Sequence, residues 1–180
     1  PAWSPDGKTI AFLSDQWGHY QLVLHDLSTN KAEHYSLGNP PAFYNNPTWS
    51  PDSAKIAYTD NRHTLWIFDV KTHSNTAIDS GLYEDPRTSI RPRWSPDSKW
   101  LTWSRDLDNH LDAVFLYSLD SAKVTQLTDG LSSAQFPVFD RGGKYLYFMA
   151  STNTGAGASS LDISSLNATH IPSTLYSAAL

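Results

Sequence analysis

The side chains best able to hold a metal in this 180-residue sequence are Asp106, Asp108, His110 and Asp112. Carboxylates at alternate positions suit a hard cation, but a calcium loop also needs a glycine at its sharp turn and a closing glutamate, and neither is present. The stretch therefore reads as a solvated hairpin tip. The seven histidines, His19, His25, His34, His63, His73, His110 and His170, show neither H-E-x-x-H nor another ligand spacing, so they read as surface or inter-sheet hydrogen bonders. Ser28-Thr29-Asn30-Lys31 fits S-x-x-K formally, yet it falls in a strand-connecting turn where that motif requires a helix, and no G-x-S-x-G elbow occurs. Asn167-Ala168-Thr169 is a glycosylation sequon, a three-residue match of little weight. No catalytic residue, metal ligand or cofactor site is expected in this chain.

Asp6, Asp52 and Asp97 form a different pattern, each standing directly after a proline and three residues after a tryptophan: Trp3, Trp49 and Trp94. Three acids at equal spacing invite a ring of acid groups, and three tryptophans invite a ligand pocket. Turn chemistry explains both more simply. Proline presets φ, an aspartate side chain bonds backbone two residues on, and a buried aromatic ahead of the turn anchors the strand.

The elements that position these residues follow from the repeat. Pro1-Ala2-Trp3-Ser4-Pro5-Asp6-Gly7-Lys8 recurs as Pro47-Thr48-Trp49-Ser50-Pro51-Asp52-Ser53, as Pro92-Arg93-Trp94-Ser95-Pro96-Asp97-Ser98-Lys99, and in degenerate form as Pro137-Val138-Phe139-Asp140-Arg141-Gly142-Gly143-Lys144. The leading prolines lie 45 or 46 residues apart, the period of a four-stranded propeller blade. After each turn comes a short apolar run, Thr9 to Ser14, Lys55 to Thr59, Lys99 to Ser104 and Lys144 to Ala150. A second run follows at Tyr20 to Leu27, Thr64 to Val70 and Ala113 to Leu119, and then more polar segments such as Lys31 to Tyr35 and Lys123 to Leu127. These are second, third and outermost fourth strands. No window carries the spacing of a helical bundle, and a sandwich does not account for a 45-residue repeat.

The expected fold is thus all-β: a partial β-propeller of about four blades of four-stranded antiparallel sheet, spanning 1–46, 47–91, 92–136 and an incomplete 137–180, as a piece of a larger propeller. Its anchors are Trp3, Asp6, Trp49, Asp52, Trp94, Asp97 and Phe139. Gly38 to Asn46 and the Gly- and Ser-rich Ser151 to Thr174 interrupt the rhythm as rim loops.

Composition narrows the partners. Hydrophobic residues make up 39% and aromatics 13%, enough to fill layers between sheets. The net charge is −5 with the 13 lysines and arginines scattered singly, which argues against nucleic acid or an anionic membrane. Tyr145 to Ala150, among the longest apolar runs, falls far short of a bilayer span. The absence of cysteine removes disulfides and thiolate chemistry.

The Trp-Ser-Pro-Asp-Gly signature resembles the blades of TolB-like and tricorn protease-like propellers and is shared with prolyl oligopeptidase-like enzymes. Three stretches resemble the last propeller blades of bacterial tricorn-type serine peptidases more specifically: Leu82-Tyr83 through Arg93 to Thr102; Asn109-His110-Leu111 into Ala113 to Leu119; and Lys144 to Asn153 with Leu161 to Leu166. The resemblance implies a region that admits and docks peptide substrates while downstream peptidase domains of the parent chain, with their Ser and His, cut them. It implies a periplasmic parent, with a cytoplasmic one still open. The alternatives are a free-standing TolB-like interaction propeller and a propeller enzyme acting on carbohydrate or another small molecule, which would need acids or histidines converging on the channel rim. An arc of blades also implies self-association through its open ends.

Overall fold

Short runs rich in Val, Leu, Ile, Phe and Tyr, separated by turns built from Pro, Asp, Asn, Ser, Thr and Gly, leave the chain little choice but antiparallel hairpins. A computed structural model describes residues 1–81, 90–151 and 173–180, and it is all-β, with 15 strands and no helix among the described residues. The first sheet holds β1 (Ala2–Trp3), β2 (Thr9–Ser14), β3 (Gln21–Asp26) and β4 (Lys31–Ser36). The second holds β5 (Tyr44–Trp49), β6 (Lys55–Asp60), β7 (Thr64–Asp69) and β8 (Asn75–Ser80). The third holds β9 (Arg93–Trp94), β10 (Trp100–Asp106), β11 (Asp112–Ser118) and β12 (Lys123–Gln126). The last holds β13 (Ser133–Phe139), β14 (Tyr145–Ser151) and β15 (Thr174–Ala179).

Each sheet is a meander in sequence order, four-stranded in the first three cases and three-stranded in the last. This is a partial β-propeller. The inner strands of the second and fourth sheets begin at Tyr44 and Ser133, ahead of the prolines that mark those repeats. Parts of the segments that carry the family resemblance, Leu82-Tyr83 and Leu161 to Leu166, lie outside the described residues, as do the sequon at Asn167 and His170.

Alternation along each strand sends one row of side chains to the preceding sheet and the other to the following one. Three core clusters result, one per sheet–sheet junction. Ala11, Leu22 and Leu24 meet Trp49, Ile56, Tyr58 and Phe68 between the first two sheets. Ala57, Leu65 and Ile67 meet Leu101, Trp103, Phe115 and Tyr117 at the next. Val114 meets Ala134, Leu146 and Ala150 at the third.

Among the described residues, the two terminal flanks have no such cover. Trp3, paired with Ile10 on the outer face of the first sheet, is 62% exposed. This corrects the expectation of a buried anchor at Trp3: the tryptophan of each repeat packs backwards, and no sheet among the described residues stands behind the first. On the last sheet's far face Val138, Tyr145, Met149 and Leu175 are exposed.

Candidate functional site

The repeat turns come first, because they set the frame. In the first, the buried Ser4 donates its Oγ–H to Asp6 Oδ1 at 2.6 Å and accepts the amide of Thr9 at 2.9 Å, while Asp6 Oδ1 also accepts the amide of Lys8 at 3.0 Å. The same set recurs with Ser50, Asp52, Ala54 and Lys55 and with Ser95, Asp97, Lys99 and Trp100. The serine hydroxyls are thus committed to carboxylates and backbone, not to histidines. The Ser4 hydroxyl, and then the Lys8 amide, hold the Asp6 carboxyl below its ordinary value; Ser95 does the same for Asp97.

The degenerate fourth turn keeps the backbone of the others. The amide of Asp140 donates to the carbonyl of Tyr145 and that of Gly143 to the carbonyl of Asp140, at 2.9 and 3.0 Å. One carboxylate does the work of two side chains there: Asp140, standing where the other repeats have serine, accepts the amides of Gly142, Lys144 and Tyr145. The Tyr145 amide is the main cause of its lowered pKa.

Between repeats, the indole of Trp49 donates to the Ala2 carbonyl and that of Trp94 to the Thr48 carbonyl, both at 3.0 Å. Trp49 is buried and Trp94 half-buried, while Phe139, which has no N–H to donate, packs beside the third core cluster. The turns are stitched as well: Asp6 N donates to Ser53 Oγ at 3.2 Å and Asp52 N to Ser98 Oγ at 3.0 Å. Gly143 occupies the corresponding place in the fourth turn and has no hydroxyl to accept Asp97 N. Ser53 and Ser98 hold φ of 60° and 62° in a region natural to glycine, which is what Gly7 and Gly143 supply at the same place.

Turns of the Pro-Asp type and those joining third to fourth strands share one rim. The opposite rim carries the loops joining second to third strands and the crossovers between sheets. Acids anchor this loop rim. Asp60, buried at the end of β6, accepts the amides of Arg62 and Thr64 and the indole N–H of Trp66. Asp79 of the second sheet accepts Trp103 Nε1–H at 3.0 Å and Arg105 Nε–H at 2.7 Å from the third, with the Arg105 guanidinium 4.2 Å from the Phe115 ring centre. Asp112 bridges the third sheet to the fourth, accepting from Ser133 Oγ at 2.9 Å and from Gln135 Nε2. A hollow of about 480 Å³ opens beside Arg105, Leu107, Asp108 and Asn109.

The structure does not bring Asp106, Asp108, His110 and Asp112 together as ligands: Asp112 is turned to the fourth sheet, and no group of three metal-capable side chains forms among the described residues. The hairpin tip they surround is held by Asn109, which donates to the Gly130 carbonyl at 2.9 Å and accepts the Leu111 amide.

The inner strands wall the hollow of the arc. β5 and β13 each break register at an X-Pro step, between Asn45 and Thr48 and between Gln135 and Val138. The residues at the bulges, Asn46 and Phe136, are exposed with φ of 54° and 56°, a costly conformation for a bulky residue ahead of proline. Arg93 is exposed on β9 between them.

No family model matches the chain. It is 31% identical over 101 residues to a tricorn-like protease C-terminal subunit of Sulfurisphaera tokodaii, an alignment covering 56% of this chain and 11% of that protein. The crystal structure of the tricorn protease superposes on 80% of the chain and 14% of its own length, with a TM-score of 0.69 and 20% identity. The chain is a β-propeller segment that resembles tricorn-like proteases. A TolB structure from Agrobacterium tumefaciens is also similar, at 25% identity and a TM-score of 0.60 over 84% of the segment and 53% of that protein. The segment thus spans about a tenth of the curated relative it resembles and about half of the TolB chain.

The sequence motif pointed to the turn residues, and its serine, present in all three full copies, carried the signal for the Ser–Asp pairs. The inter-sheet acceptors Asp79 and Asp112 and the stitching Ser53 and Ser98 were not recognised, because nothing local marks them.

Proposed function

We propose that this segment belongs to the propeller of a tricorn-type serine peptidase, where it gates and docks peptide substrates without cleaving them, the cleavage being done by domains of the parent chain outside this sequence. The observation that carries this reading is the inner wall, where Asn46 and Phe136 are held exposed at positive φ on alternate sheets. Strain of this kind persists where the surrounding structure enforces it and clusters at binding sites, and bulges commonly re-aim side chains beside such sites. The likeness to a tricorn-like protease subunit supports the peptide as ligand. The periplasmic setting that goes with the family resemblance, and association of copies through the open flanks, are part of the same proposal.

Fluorescence polarisation with a panel of labelled peptides tests it. Binding that weakens at least several-fold in Phe136→Ala and Asn46→Ala, with every peptide recovered uncut, is the expected result. Peptides cleaved by the segment itself, or bound equally by both variants, would overturn it. The alternative, a TolB-like propeller that binds a partner protein, is favoured by the larger share of the TolB chain that the segment spans. Capture of a folded partner with no peptide affinity would select it.

A further inference from the structure

On the outer face of the first sheet, a row of polar side chains joins the loop 15–20 to β4. Gln21, the first residue of β3 and only 8% exposed, places its amide between two imidazoles: its Nε2 lies 3.0 Å from His19 Nε2 and its Oε1 2.7 Å from His34 Nδ1. Trp17, from the same loop, stacks on the His34 ring with centroids 4.2 Å apart and planes 14° apart. The loop is shaped by Gly18, at φ +89°, whose amide closes a turn onto the Asp15 carbonyl.

A primary amide offers donors on one side and an acceptor on the other. As placed, its N–H₂ requires a lone pair on His19 Nε2, while its oxygen accepts from His34 Nδ1–H whether or not His34 is charged. Turning the amide over reverses the assignment and leaves the constraint in force: one of the two ring nitrogens facing Gln21 must be an acceptor. When both imidazoles are charged, both present N–H groups, and one meets head on the N–H₂ of the buried Gln21 amide, for which an unmade bond is costly.

We infer that His19, Gln21 and His34 form an acid-sensitive latch, which holds the Trp17 loop against β4 while at most one imidazole is charged and releases it when both are. The other titratable groups near this face are His25, on β3 and engaged with Asn30 Oδ1 at 3.1 Å, and Asp15 at the base of the loop. From β2 the facing residues are Ile10, Phe12 and Ser14, and Glu33 and Tyr35 of β4 alternate to the opposite face. Among the described residues, no strand carboxylate on this face of the first sheet stands ready to accept the second N–H.

The test follows Trp17 and both imidazoles together as pH falls from about 8 to about 5, the interval across which histidines change charge. Fluorescence of the segment minus that of Trp17→Phe isolates Trp17, and imidazole C–H resonances report His19 and His34. The expected result is a Trp17 change that coincides with the later of the two imidazole steps. Gln21→Glu supplies two acceptor oxygens, so it should retain the Trp17 stack across the whole range, while His34→Asn should lose it already at the upper end. A Trp17 signal that tracks the first step, stays constant while both imidazoles charge, or changes in Gln21→Glu as in the parent sequence would overturn the latch. The imidazole titration of the unsubstituted protein decides the matter even if a variant fails to fold.

Discussion

Trp49 and Trp3 occupy the same place in consecutive repeats, yet one is 7% and the other 62% exposed. Truncating a buried aromatic costs about 3–5 kcal/mol, so Trp49→Ala should lower the melting temperature steeply, whereas Trp3→Ala should change stability by no more than about 0.5 kcal/mol. Equal losses in thermal melts of the two variants would show that the first flank is covered in solution. Trp103 adds a polar dependence, because its indole and the Arg105 guanidinium share Asp79 Oδ2. Removing that acceptor in Asp79→Ala leaves both donors at a partly buried site, with an expected cost of about 1–3 kcal/mol readable in urea titrations.

The acids of the turns also set an acid limit. The Ser28 hydroxyl and the amides of Thr29 and Ser28 lower Asp26 to about 2, and a hydrogen bond from Lys55 lowers Asp69 to about 2, from an ordinary 3.8. A carboxyl whose folded pKa is depressed contributes stability that is complete above the unfolded value and is lost as pH falls through the folded one. The part of the urea midpoint that depends on these two carboxyls should therefore be complete above about pH 4 and decline between there and pH 2. Asp69→Asn should flatten part of that decline, and an unchanged slope would count against the assignment.

At the scale of the element, the stitch between turns weighs backbone strain against a bond. Ser98 holds φ 62° and accepts Asp52 N. Ser98→Ala keeps the strain and loses the bond, while Ser98→Gly loses the bond and relieves the strain. Alanine should therefore be the more destabilising of the two, by about 1 kcal/mol, in paired melting experiments; the reverse order would show that the positive φ at this position stores no strain. The crossover before the fourth sheet depends on Gly130 for a different reason. At φ +76° it approaches so closely that an added Cβ would lie 2.3 Å from Leu107 Cδ1, so Gly130→Ala must shift the Leu107 side chain, in a backbone conformation that already disfavours alanine, beside the hairpin tip that Asn109 fastens to the Gly130 carbonyl.

For the molecule as a whole, two unlike faces await cover. One presents Trp3 and Ile10, the other Val138, Tyr145, Met149 and Leu175, and β15 leaves the edge of a three-stranded sheet unpaired among the described residues. Exposed apolar faces and open edges of this kind drive association. Sedimentation of the purified segment at micromolar concentration should show self-association, and Met149→Lys with Leu175→Lys should suppress it. A monomer that melts cooperatively would contradict the expectation.

How much of this was legible in the sequence depends on distance along the chain. The hairpins, the turns and the order of strands follow from contacts a few residues apart: Trp-Ser-Pro-Asp specifies a strand, a φ and a capping carboxylate, and its return at 45-residue spacing specifies repeated sheets. Even the degenerate fourth turn obeys this, since Asp140 replaces a serine hydroxyl with a group that accepts the same amides. The bonds between sheets were not legible, because Asp79 with Arg105, Asp112 with Gln135 and Ser53 with Asp6 are brought together only when one sheet stacks on the next. The exposure of Trp3 was hidden for the same reason. Burial is a property of what stands opposite a side chain, and Trp-Ser-Pro-Asp, identical in the three full copies, carries no record of which copy has a neighbour behind it.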